Sequence, residues 1–125
     1  MAHVATTHHR HIGKTIGTGH CVPFVREVTG LPPTASWRRG DPVQGANPAP
    51  QPGTAIATFD PNGHYGNHTD GRSHAAIYLT THTNGSIDVL DCWLKQPVHQ
   101  RTIRNRNGAG DAVNDASRYY IIEVA

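Results

Sequence analysis

The sequence is short of cysteine. It has two, Cys21 and Cys92, in 125 residues, which excludes a scaffold built on several disulfides. It also has no apolar run near the roughly 18 residues of a membrane span, so no span is expected. Residues 1–19 are polar and rich in histidine, without the apolar h-region of a secretory leader. Synthesis in the cytoplasm, and any delivery to the periplasm or outside by a route other than Sec, is the expectation. The formal net charge is only +2, and no Lys/Arg stripe is interleaved with aromatics, so nucleic acid is not an expected partner. No internal repeat is visible.

What is present suits one domain that folds around its own modest apolar core as a monomer. Thirteen glycines and nine prolines point to a loop-rich fold. There are ten histidines, whose protonation raises the positive charge below about pH 6.5. Residues 1–16, with His3, His8, His9 and His11, are expected to form a flexible arm, and residues 17–125 the domain. An adventitious nickel or zinc site in the arm is the open alternative, although the spacing matches no structural zinc motif.

A helix is expected from Cys21, capped by Thr18 or His20. Pro23 is tolerated in its first turn, where its missing N–H would be unbonded anyway. Gly30 and Pro32-Pro33 end it. Residues 31–53 contain six prolines and read as loop, with one helical turn near 34–38 and Trp37 as an anchor. Strands are expected at 53–59, 74–79, 86–93, 97–104 and 119–124, with a short helix or turn at 111–118. A helix followed by an antiparallel meander is α+β organisation.

Cys21, His74 and Asp91 form the candidate catalytic set. Cysteine attacks as thiolate, and a helix N-terminus and a nearby imidazolium both lower its pKa. His74 opens a strand that fixes its backbone. If 80–85 form the hairpin loop, Leu79 opposes Ser86 and His74 opposes Asp91, close enough for a carboxylate to orient the imidazole. A tight Asn84-Gly85 turn would instead put Asp91 opposite Tyr78, so the triad requires the longer loop or a bulge. Asp88 is the alternative third member. Cys92 points away from Asp91 and reads as core, like Trp37 and Trp93. Gly19, His20 and Tyr78 are the candidates for oxyanion and substrate contacts. No metal or other cofactor is called for.

The stretches GHCVPFV, SHAAIYL and IDVLDCW, in that order, resemble the motifs of the NlpC/P60 and CHAP superfamily of papain-like cysteine hydrolases. GTAIATF and the final YYII fit that family's remaining strands. The resemblance implies a papain-like core, with the cysteine helix packed on a small antiparallel sheet. It implies cleavage of amide bonds in peptidoglycan peptides, with Cys21 as nucleophile, His74 as base and Asp91 as orienting residue. By analogy with small members of the superfamily, it implies a toxin delivered by type VI secretion and countered by an immunity protein. His20 departs from the glutamine frequent before the cysteine in CHAP sequences. It could tune the oxyanion site or only cap the helix. A non-catalytic binding module on the same fold, or a histidine-rich metal-binding protein, are the other readings.

Overall fold

The computed structural model describes residues 3–5, 12–14, 20–46, 48–68, 71–93 and 95–125. One helix, α1 (Cys21–Thr29), lies against a six-stranded sheet. The strands are β1 (Trp37–Pro42), β2 (Ala55–Thr58), β3 (Ala75–Thr81), β4 (Ile87–Trp93), β5 (Gln96–Ile103) and β6 (Tyr119–Val124). All pairings are antiparallel, in the order β1-β6-β2-β3-β4-β5. The α+β class and the cysteine-bearing helix packed on an antiparallel sheet are as expected.

Two features differ. The sheet is a meander only from β2 to β5, because β6 returns to lie between β1 and β2. β1, within the stretch read as loop, is a strand. Its sequence WRRGDP has no apolar alternation, because it is an edge strand whose exposed positions take charge and end in proline, as unpaired edges do. The helical turn before it is a 3₁₀ turn, Thr34–Ser36, and two more, Ala112–Asn114 and Ala116–Arg118, fill 112–118.

The apolar runs of the central strands reflect burial on both faces. Every residue of β2 is buried. One core lies under α1 and includes Phe24, Val25, Trp37, Ile77, Leu90 and Cys92. The other lies on the opposite face and includes Val43, Ile56, Tyr78, Ile87, Ile103 and Tyr119. Helix α1 ends where Gly30 takes φ 76°, and its N–H bonds Arg26 O, a left-handed cap that only glycine adopts without cost.

The expected free arm is tied down where it is described. Val4 bridges Thr54, and Ala55 N donates to His3 O at 2.8 Å. Gly13 N donates to Val98 O at 2.7 Å and Val98 N to Lys14 O at 2.9 Å. Unpaired strand backbone at these positions draws the segment in. His8, His9, His11 and the cap candidate Thr18 lie outside the described residues.

Trp37 is the anchor expected, fully buried with its indole N–H donating to Pro32 O at 2.9 Å. Trp93 is not: it is 45% exposed, at the end of β4, with its ring against His99 and the Arg101 guanidinium. Trp37→Ala should therefore lower unfolding free energy by about 3–5 kcal/mol, and Trp93→Ala by less than about 1 kcal/mol, both measured by chemical denaturation.

Candidate active site

Cys21 is the first residue of α1. Its partners sit at the adjoining ends of β3 and β4. His74 immediately precedes β3, and its backbone is clamped by Thr58: Thr58 N donates to His74 O at 3.0 Å, and His74 N donates to the Thr58 hydroxyl at 3.0 Å. His74 Nε2 meets Asp91 Oδ2 at 2.8 Å, leaving Nδ1 as the ring nitrogen available to Cys21, to which the imidazole is also hydrogen-bonded.

The hairpin that brings His74 and Asp91 together differs from both registers considered. Thr81 pairs with Ile87 and Thr80 with Asp88, and a bulge at Leu79 then shifts the ladder so that Ile77 pairs with Leu90. The loop is thus longer than Asn84-Gly85 and a bulge is present. Continuing the ladder sets Asp91 opposite Ala76, so His74 and Asp91 are diagonal neighbours. The imidazole spans the difference, within reach for a long side chain on such a diagonal. Strand alternation places Leu90 and Cys92 under α1 and Asp91 on the far side of the sheet. His74, at the strand's open end, bridges the thiol on one side and the carboxylate on the other.

Burial would raise the Cys21 thiol. The hydrogen bond and charge of His74, the Ala75 backbone N–H and the Tyr65 hydroxyl outweigh it, and the pKa is lowered. Burial would lower His74, but hydrogen bonds to Asp91 and Cys21 and the charges of both raise it to about 9. The two shifts, thiol down and imidazole up, both favour the thiolate–imidazolium form of the pair, which titrates as a unit. Burial would likewise raise Asp91; hydrogen bonds from His74 and Arg101 and their charges lower it.

Arg101, on β5, was not singled out from the sequence. Its Nε and Nη2 donate to Asp91 Oδ2 at 2.9 and 2.7 Å, and its Nη1 donates to Asn114 Oδ1 at 3.0 Å. The β4–β5 register supplies it: Asp91 pairs with His99 and Val89 with Arg101, so all three polar side chains share the face opposite α1. His99 Nε2 lies 3.0 Å from Asp91 Oδ1, but off the line of a hydrogen bond, and neither atom forms one. Tyr65 is buried beside the thiol. Burial and then the Cys21 charge hold its phenol above the usual range.

The other candidates divide. His20 is exposed, takes an extended conformation and makes no side-chain cap; its carbonyl accepts from Phe24 N at 3.4 Å and from Cys92 Sγ at 3.6 Å. It lines a cleft of about 210 Å³ with Cys21, Val22, Tyr65, Asn67, His68 and Ser73. Gly19 lies outside the described residues. Tyr78, a candidate for substrate contact, has its side chain in the core opposite α1, with its hydroxyl on Thr81 Oγ1 at 2.6 Å, and does not line the cleft beside Cys21. Asp88 is also excluded as the third member. It sits nearer the hairpin loop, accepting from Thr102 Oγ1 at 2.6 Å with His82 Nε2 at 3.0 Å. Cys92 is buried, and burial, with the charges of Cys21 and Asp91, pushes its thiol up to about 12. Both cysteines are free. Among the described residues no cluster of three or more His, Cys, Asp or Glu side chains is arranged to hold a metal ion.

Asp91→Asn leaves the Arg101 guanidinium without its buried counter-charge and should destabilise the fold by about 3 kcal/mol or more. In the wild type, the lowered Asp91 contributes stability that is lost as pH falls through its folded-state pKa. The raised His74 contributes stability that is complete below about 6.5 and is lost as pH rises through about 9. Denaturation across pH should show both declines in the wild type and flatten both in Asp91→Asn.

A family model described as "Domesticated amidase effector 2" (Dae2) matches residues 2–122. A solved structure named "Type 6 secretion amidase effector 2 (Tae2)" superimposes with a TM-score of 0.76 at 31% identity, covering 89% of this chain and 86% of that one. No curated protein matches the chain. Matched in sequence across nearly its whole length, and in architecture by a solved relative with the same layout, the chain belongs to the domesticated amidase effector 2 family.

Proposed function

We propose that the chain is a cysteine-dependent amide hydrolase that cleaves peptide bonds of peptidoglycan through a thioester on Cys21. The observation that carries this is the chain of contacts Cys21–His74–Asp91, with His74 Nε2 2.8 Å from Asp91 Oδ2 at a helix start beside an open cleft. The word amidase in the names of the family and of the solved relative supports the reaction class. The motif order shared with NlpC/P60 and CHAP enzymes supports peptidoglycan peptides as substrate.

The lowered Cys21 and the raised His74 support transfer of the thiol proton to the imidazole, so that the attacking species is the thiolate with His74 protonated. The Cys21 thiolate adds to the amide carbonyl, and backbone N–H groups at the start of α1 face the developing oxyanion, with His20 at its edge. His74 gives its proton to the departing amine as the C–N bond breaks, leaving an acyl thioester. Neutral His74 then takes a proton from water as the hydroxide adds to the thioester. Collapse releases the carboxylic acid and restores thiolate and imidazolium. Asp91 stays ionised throughout, holding the ring and stabilising its cation.

The relative's name also supports delivery by type 6 secretion. A periplasmic target and a protecting immunity protein in the producing cell accompany that reading. Among the described residues, no helix is long and apolar enough to cross a membrane.

Cys21→Ala should abolish release of peptide fragments from purified peptidoglycan, read by mass spectrometry, while its circular dichroism stays native. Unchanged release would remove the thioester mechanism. The wild-type kcat/KM should rise with pH through a value below the ordinary thiol range and fall through about 9, the raised His74 value. In Asp91→Asn the falling limb should move to lower pH, because the imidazolium loses its carboxylate.

A further inference from the structure

A second cavity, of about 570 Å³, lies beside the cleft. Three guanidinium-bearing residues from three parts of the chain line it: Arg39 from β1, Arg72 from the connection before β3, and Arg118 from the turn before β6. Phe59 and Tyr120 form aromatic walls, packed edge-on with ring centroids 6.4 Å apart, and the Arg39 guanidinium lies 5.4 Å over the Tyr120 ring. Two carboxylates also border the space. Asp60 is held through both oxygens by His68 Nε2, at 3.0 Å each, and Asp111 is exposed. Arg118 is held from one side, its Nη2 donating to Gly108 O at 3.0 Å and its Nε 3.7 Å from Asp115.

The cavity is continuous with the catalytic machinery in two ways. Thr58, on its wall, accepts from His74 N and donates to Arg72 O at 3.1 Å, so the base and one arginine hang on the same hydroxyl. Phe59 packs edge-on against Tyr65 at 6.3 Å, and Tyr65 touches the Cys21 thiol. A peptide lying over Tyr65 and Phe59 would lead from the thiol toward the arginines.

We propose that this cavity is a subsite for a free carboxylate of the substrate peptide, carried to one side of the scissile amide. The proposal rests on the amide-hydrolase reading above. Guanidinium is the group whose planar fork matches a carboxylate, and Arg39, Arg72 and Arg118 outnumber the two carboxylates, Asp60 and Asp111, that line the same cavity.

The test uses two synthetic wall-type peptides, identical except that one carries the free carboxylate near the scissile bond and the other its carboxamide. Wild type should favour the acid in kcat/KM by roughly tenfold, the effect of one charge-assisted hydrogen bond. In Arg39→Gln and Arg72→Gln the acid-to-amide ratio should fall toward one, with the change in KM. Using the ratio cancels any general loss of folded enzyme. No preference in wild type, or a preference unchanged in both variants, overturns the proposal. If neither peptide is cleaved, the hydrolase reading is at fault, and NMR titration of Cys21→Ala with both peptides decides the subsite separately. Tighter acid binding that is lost on adding Arg72→Gln supports it, and equal binding overturns it.

Discussion

A carboxylate with no exposure to solvent must be neutralised by its surroundings, and Asp91 is neutralised by two cations at once. Arg101 and His74 both reach Oδ2, from β5 on one side and from the open end of β3 on the other. Burying such a charge costs several kcal/mol unless it is paired and hydrogen-bonded, so β3, β4 and β5 are held in one register at this end of the sheet. The same contact raises the His74 pKa, and His74 in turn lowers that of Cys21 against its own burial. Stability and reactivity share one set of atoms.

The topology serves that arrangement. With β6 inserted beside β2, the sheet gains a second buried face, and the 3₁₀ turns before β6 bring Asn114 and the Val113 carbonyl to the outer nitrogens of Arg101. The return of β6 also sets Tyr120 and Arg118 beside β2, so the cationic cavity and the Asp91 cluster lie on either side of the His74 backbone and depend on the same strand crossing. Thr58 links them, because it is the residue of β2 that holds His74.

Much of this was legible in local chemistry. The helix from Cys21 to its glycine cap follows from Gly30 and the paired prolines, and β3 to β5 follow from apolar runs bounded by turn residues. Cys21 and His74 stood out because each opens a regular element, where backbone is fixed and a side chain is free. β1 was not legible, because an edge strand needs no apolar period. Tyr78, a candidate for substrate contact, is sent by strand alternation to the other core. Arg101 carried only one clue, its place on the partner strand of Asp91, and that clue has no meaning until the β4–β5 register is known.

The sequence by itself therefore determined the class of fold, the position of Cys21 at a helix start and the position of His74 at a strand start, since these depend on residues near one another along the chain. Only the tertiary structure decided that Asp91 reaches His74 on a diagonal across a bulge, that Arg101 shares its charge, and that three distant arginines meet beside the base. Those outcomes come from pairing between strands far apart in sequence, where a shift of one residue sends a side chain to the opposite face.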